Sequence, residues 1–128
     1  MSRRAVQLSN VIRSELTELI GRRVKDPRLE GLITITGVEM SEDLKHARVF
    51  FCLMGAEGDS GRRGEVQRGL ASSAGFLKCE LGRRIRLKFP PELSFSYDDS
   101  FDYATRIERV LRDLRENEEG PGEGGEDP

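Results

Sequence analysis

The first amphipathic segment lies between residues 4 and 23, where apolar side chains recur every three or four positions. They are Leu8, Val11, Ile12, Leu16, Leu19 and Ile20. This spacing places them on one face of an α-helix. Arg22 and Arg23 favour a helix end at this point, because cations are stabilised near a helix C-terminus.

Three later segments have the pattern of β-strands. Residues 32–40 and 46–54 are rich in Ile, Val, Thr and Phe, and residues 93–97 alternate strictly between apolar and polar types. In the second segment, every other residue from Ala47 to Leu53 points to one face and forms a core stripe. Gly37 indicates a β-bulge in the first segment.

Helical spacing returns between the second and third strands, but Gly75 interrupts it. Val66 and Leu70 precede the glycine, and apolar residues at steps of four follow it as far as Ile85. A glycine inside a helix costs roughly 1 kcal/mol relative to alanine. We therefore predict two short helices joined by a kink at Gly75, the second ended by Pro90 and Pro91.

A last helix follows the third strand and is capped by Asp98, Asp99 or Ser100. Its apolar positions have helical spacing and are expected to be buried: Phe101, Ala104, Ile107, Val110, Leu111 and Leu114. The complete order is helix, strand, strand, helix, kink, helix, strand, helix. It predicts an α+β domain in which helices pack on a three-stranded sheet.

The net charge of −2 conceals an uneven distribution. Residues 1–115 contain all 21 lysines and arginines and 17 of the 23 acids, whereas residues 116–128 contain the other six acids and no apolar side chain. We therefore predict a basic folded domain over 1–115 and an acidic disordered tail over 116–128. Eight cations and only two acids lie within residues 61–88, which indicates a polyanionic partner.

The sequence offers little for catalysis or metal binding. His46, the single histidine, has no partner at a ligand or triad spacing, and Cys52 and Cys79 are isolated thiols suited to a reducing cytoplasm. The aspartates near residue 100 are more simply helix caps than Mg²⁺ ligands. No phosphate-binding loop, dinucleotide fingerprint or nucleophile elbow is present, and no apolar run reaches the roughly 20 residues of a membrane span. We expect no enzymatic activity, cofactor, metal, small-molecule substrate or membrane insertion.

Two short helices with a tight glycine joint resemble the KH domain, in which a Gly-x-x-Gly loop joins two helices and clamps a nucleic-acid backbone. The order of elements looks like the type II version of that fold. A literal Gly-x-x-Gly occurs at residues 61–64, but it precedes the helix pair. The joint itself reads Ser73-Ala74-Gly75. Glycine there would let a phosphate backbone approach closely.

Four linked stretches resemble the bacterial ribosome-binding factor A family. They are "VKDPRL" at 24–29, "ITGVEMSEDLKHARVFF" at 35–51, "GFLKCELGRRIRL" at 75–87 and "PELSFSYDDS" at 91–100. The resemblance covers about residues 5–115; the family's joint usually reads Ala-x-Gly, and Ser73 here fills the first place. The resemblance to this family implies a non-enzymatic assembly factor of the cytoplasm that matters most in the cold. Such a factor binds the free small (30S) ribosomal subunit and assists late 16S rRNA processing near its 5′ end.

The expected RNA-binding residues are the joint and the cations that follow it. They are Ser73, Ala74, Gly75, Lys78, Arg83, Arg84, Arg86 and Lys88. Arg83 and Arg86 lie opposite the apolar stripe on a helical wheel and must face outward. Further candidates lie around the "KDPR" turn and before the helix pair: Arg22, Arg23, Lys25, Arg28, Arg62 and Arg63.

Two other classes of function remain open. One is a sequence-reading KH module that binds single-stranded RNA through Gly61 to Gly64. The other is a protein–protein adaptor whose acidic tail contacts a basic partner. We expect a monomer that binds the small subunit and its rRNA, with aromatic stacking on bases playing a minor part.

Overall fold

The structure is a computed structural model that describes residues 2–22, 24, 26–29, 32–55 and 59–119. Within these ranges, the side chains at 32, 101, 102, 104, 105, 118 and 119 are not described. The elements are α1 (Arg3–Arg22), a 3-10 turn (Pro27–Leu29), β1 (Leu32–Met40), β2 (His46–Met54), α2 (Ser60–Ile85), β3 (Glu92–Tyr97) and α3 (Asp99–Glu119).

Helix α1 forms where the apolar spacing predicts it. The Ser2 hydroxyl accepts a hydrogen bond from the Ala5 N–H at 3.1 Å and so satisfies one free amide of the first turn. Ile12, Leu16 and Leu19 are completely buried. Val11 was predicted on this face but is 44% exposed, because it lies at the margin of the apolar stripe.

The sheet has the order β1-β2-β3, with β1 antiparallel and β3 parallel to the central strand. The register shifts between Ile35 and Gly37, so the bulge predicted at Gly37 is confirmed. The alternate residues of β2 from Ala47 to Leu53 are buried, as predicted. The α+β class with a three-stranded sheet is confirmed, and the order of elements is that of a KH-like domain.

The core of residues 2–98 lies between the sheet and the two helices that cover it. Helix α1 packs on β1, α2 packs on β3, and the two helices contact each other. Phe51 of the central strand and several leucines of the helices are completely buried there. Burying each such side chain contributes about 1.5–3 kcal/mol, so these contacts hold both helices in place.

Helix α2 is continuous from Ser60 to Ile85, so the prediction of two separate helices is wrong. The roughly 1 kcal/mol cost of Gly75 is small beside the burial of Leu70 and Leu77 on either side of it. The Asp59 side chain caps the helix by accepting a hydrogen bond from the Arg62 N–H at 3.0 Å. Residues 61–64 therefore form the first turn of α2 and not a loop.

Helix α3 belongs to a separate compact unit that begins at Asp99. It extends to Glu119, so the first four residues of the predicted tail are helical, and residues 120–128 lie outside the described part. The apolar positions Ile107, Val110, Leu111 and Leu114 are 43–54% exposed, which contradicts their predicted burial. Phe101 and Ala104 lie outside the described side chains. Helical spacing identifies an apolar face but does not determine what covers it.

Candidate RNA-binding surface

The C-terminal end of α2 is fixed by a left-handed cap. Arg86 has φ 59° and ψ 45°. Its backbone N–H and that of Leu87 both donate hydrogen bonds to the Gly82 carbonyl oxygen. Pro90 and Pro91 follow, and Pro91 is fully buried. Arg83 and Arg84 therefore occupy the last helical turn, while Arg86 and Lys88 lie beyond it. We call the outward side of Arg83, Arg86 and Lys88, together with Gly75 and Cys79, the α2 surface.

Arg83 combines a role in the fold with exposure to solvent. Its guanidinium pairs with the Glu80 carboxylate one turn earlier on α2. The Glu80 side chain is only 7% exposed, whereas that of Arg83 is 78% exposed. A buried carboxylate is strongly destabilising without a compensating cation. Arg83 thus helps to compensate the charge of Glu80 and still presents much of its side chain outward.

Arg84 is engaged within the protein. Its Nη1 lies 2.9 Å from Glu15 Oε1 and 3.1 Å from Glu18 Oε1, both on α1. Hydrogen bonding to Glu15 and then to Glu18 raises the pKa of Arg84 above its ordinary value. The Arg84 guanidinium, which the sequence predicted to bind RNA, is therefore already paired with two carboxylates. We leave Arg84 out of the proposed contacts.

Lys78 also has a carboxylate partner, Glu92 at the start of β3. The hydrogen bond from Lys78 holds the pKa of the Glu92 carboxyl below its ordinary value. The pair is on the surface, where such contacts contribute little to stability because water and salt screen them. A phosphate can therefore compete for Lys78.

Arg86 and Lys88 are the available cations of this surface. Both side chains are exposed, and in the described ranges neither has a carboxylate partner. The Lys88 ammonium lies 5.6 Å from the centroid of the Phe89 ring, a distance at which the ring attracts a cation. These two residues can bind phosphate without giving up an ion pair in the fold.

The segment predicted as a joint lies in the middle of α2. Gly75 is exposed, whereas Ser73 and Ala74 are half-buried and Ala74 packs against the core. A Cβ built on Gly75 would meet nothing within 4 Å, so no packing inside the chain requires glycine there. Cys79 is exposed four residues after Gly75 and four before Arg83, which places all three on one helix face.

The second predicted cluster mainly holds the "KDPR" turn in place. Arg28 Nε and Nη2 bind the Asp26 carboxylate at 3.0 and 2.7 Å, and Nη2 also donates to Ser72 Oγ at 3.1 Å. The side-chain hydrogen bond from Arg28 holds the pKa of Asp26 below its ordinary value. Arg62 donates to the Arg28 carbonyl oxygen at 2.9 Å. These contacts fasten the turn to α2.

Of the remaining members of that cluster, the structure describes Arg22 and Arg63, which lie on different helices. The Arg63 guanidinium lies 4.2 Å from the centroid of the Tyr97 ring, on the sheet side of α2. Arg22 is exposed at the end of α1, and Arg23 and Lys25 lie outside the described residues. Arg62 and Arg63 are both half-buried, so they contribute to packing and present less surface to RNA than an exposed arginine does.

Sequence reasoning overlooked Phe89, which is 79% exposed directly after Lys88. The signal was the stretch Lys88-Phe89-Pro90-Pro91, in which two prolines exclude helical structure and so place the ring in a loop. Among the described residues, no group of three or more His, Cys, Asp or Glu side chains could hold a metal ion. Within the same residues, the helices are too short or too polar to span a bilayer.

Comparison with known proteins identifies the family. The family model described as ribosome-binding factor A matches residues 4–111. A protein of that name from Syntrophobacter fumaroxidans is 45% identical over 116 residues, covering 91% of this chain and 97% of the relative.

Two structures of similar proteins share the fold. The solution structure of a Thermotoga maritima putative ribosome binding factor A has a TM-score of 0.63 and 27% identity, covering 75% of this chain and 88% of that one. A Thermus thermophilus RbfA homology model, fitted into a cryo-electron microscopy map of a 30S–RbfA complex, has a TM-score of 0.53 and 25% identity. It covers 78% of this chain and 97% of that one. The chain therefore belongs to the ribosome-binding factor A family.

Proposed function

We propose that this protein is an assembly factor that binds the free small ribosomal subunit and assists late maturation of 16S rRNA near its 5′ end. The observation that carries the proposal is the family match over residues 4–111, nearly the whole described chain. A relative fitted into a map of a 30S complex supports the choice of partner. The protein acts in the cytoplasm, as a monomer and without catalysis.

The α2 surface is the proposed contact with rRNA. Arg86, Lys88 and the exposed part of Arg83 supply positive charge for phosphate oxygens, and Arg suits this role through its planar fork. The bare helix face at Gly75 allows a ribose–phosphate strand to approach closely. Such contacts fix position, while the shape of the folded rRNA supplies specificity.

The geometry favours this function over the two other classes. A KH module clamps nucleic acid with a Gly-x-x-Gly loop between two helices, whereas residues 61–64 here are the first turn of one helix. The adaptor hypothesis depends on the acidic tail, most of which lies outside the described residues. The cationic α2 surface supports a polyanionic partner directly.

Sedimentation of cell lysate through a sucrose gradient tests the proposed function. The protein, detected by antibody, is expected to travel with free small subunits and to be nearly absent from polysomes. The reason is that an assembly factor must leave before translation begins. Equal amounts on free small subunits and on polysomes, or none on small subunits, would refute the proposal.

A further inference from the structure

Phe89 stands between two hollows at one end of the domain. A groove of about 620 Å³ on one side is lined by Lys45, His46, Lys78, Lys88 and Pro90 as well as by Phe89. A second hollow of about 340 Å³ shares Lys45, Lys88 and Phe89 and reaches Arg4 and Leu8 of α1. The aromatic ring is therefore accessible from two directions.

The loop that carries Phe89 is held firmly at both ends. The left-handed cap at Arg86 begins it, and the buried Pro91 closes it. The Glu92 N–H donates to the Lys45 carbonyl oxygen at 2.8 Å, which ties the loop to the turn between β1 and β2. Phe89 is thus presented outward on a fixed support, and the fold itself gains little from a ring that is 79% exposed.

The charges around the ring are mostly positive. Lys45 and Lys88 have no carboxylate partner in the part of the chain that the structure describes. Lys78 and Glu92 neutralise each other. Asp43 lines the second hollow, but it accepts hydrogen bonds from the Ser41 hydroxyl at 2.6 Å and the Lys45 N–H at 3.0 Å.

We propose that Phe89, Lys45 and Lys88 form a site for one unpaired nucleotide of RNA. The base stacks on the Phe89 ring, and the adjoining phosphates bind the two ammonium groups. Aromatic rings flanked by cations are the usual means of binding single-stranded nucleic acid, because every base has a face that can stack. A protein ligand fits less well, since isolated lysines around one ring match phosphates on both sides of a base. This site deepens the proposed function and rests on its claim that the partner is RNA.

A tryptophan at position 89 provides a direct probe. The chain contains no tryptophan, so full-length Phe89→Trp has one emitting indole. Short single-stranded oligoadenylate or oligouridylate is expected to quench its emission saturably as a base stacks on the ring. A duplex RNA of the same length should quench much less, because its bases are already stacked. As a matched control, Tyr103→Trp places the probe on another exposed aromatic position, in α3, and should remain unquenched.

Substitutions that separate stacking from apolar contact complete the test. Phe89→Leu is expected to weaken binding of the labelled single strand by about tenfold or more, whereas Phe89→Tyr retains it. Because the ring is exposed, both variants should fold like the wild type. Equal affinity of Phe89→Leu and wild type would overturn the nucleotide site.

Other outcomes identify a different ligand. Quenching by adenosine monophosphate at the same nucleotide concentration would assign the site to a free nucleotide and overturn the RNA site. Quenching only by ribosomal proteins stripped of rRNA would assign it to a protein, with the same consequence. In either case, sedimentation of the wild-type protein with free small subunits would leave the proposed function standing.

Discussion

Replacing Arg86 and Lys88 together by glutamate is expected to weaken binding to purified small subunits by about a hundredfold at moderate salt. Each reversal removes an attraction to phosphate and adds a repulsion. The slope of log affinity against log salt should also decrease in magnitude by about 2, or about 1 for each phosphate that the protein no longer neutralises. Fluorescence anisotropy of the labelled protein across a salt series measures both quantities.

Charge reversal at Arg86 and Lys88 tests the proposed contact better than reversal at Arg83, because the fold does not depend on the charge of these two residues. A glutamate at position 83 would place a second carboxylate beside the buried Glu80 and destabilise the helix, so weaker binding would be ambiguous. Arg13→Glu combined with Arg106→Glu makes the same change in net charge at two exposed arginines elsewhere and should bind normally. Wild-type affinity of Arg86→Glu/Lys88→Glu would contradict the proposed contact.

Alanine at two glycines of the same helix is expected to have opposite effects on stability. A Cβ at Gly69 would lie 2.8 Å from Leu29 Cδ2 and 3.2 Å from Arg28 Cβ, in the turn packed on α2. Gly69→Ala should therefore lower the free energy of unfolding by about 1–3 kcal/mol, since overpacking outweighs helix propensity. Gly75→Ala meets open space and should raise the free energy of unfolding by up to about 1 kcal/mol.

Urea unfolding followed by circular dichroism compares the two variants, with wild type as reference. The affinity of Gly75→Ala for small subunits provides a second, independent measurement. Gly75→Ala should weaken binding to small subunits although the free protein is more stable, because the added methyl group keeps the rRNA backbone at a greater distance. A more stable variant that binds as well as the wild type would show that glycine at this position has no role at the interface.

The sequence predicted those parts of the fold that depend on local pattern. The alternation in β2 identified the buried stripe because side chains in a strand change face at each residue. Gly37 marked the bulge because a glycine inside a strand often accompanies one. The apolar spacing of α1 placed the helix within one residue at its N-terminal end, because a single face of it meets the core.

The sequence predictions failed where the local structure depends on contacts between residues that are far apart in the chain. Packing on both sides of Gly75 keeps α2 continuous, although local propensity favours a break. Arg84 was predicted to bind RNA, but its guanidinium pairs with Glu15 and Glu18, which are 69 and 66 residues away in the chain. No local pattern reveals such a pairing. Phe89 was missed because the apolar pattern does not show whether a ring in a loop is buried or exposed.

Directed cleavage of rRNA from Cys79 tests the central claim that the α2 surface contacts 16S rRNA. Cys79 is exposed and Cys52 is completely buried, so an iron–EDTA probe can be attached to the native thiol alone. The control carries Cys79→Ser and Arg13→Cys, which moves the probe to an exposed position on α1. With each protein bound to small subunits, we expect hydroxyl radicals from position 79 to cut 16S rRNA at discrete sites and those from position 13 to cut weakly. Absence of cleavage from position 79 in a bound complex, or equal cleavage from both positions, would contradict the account.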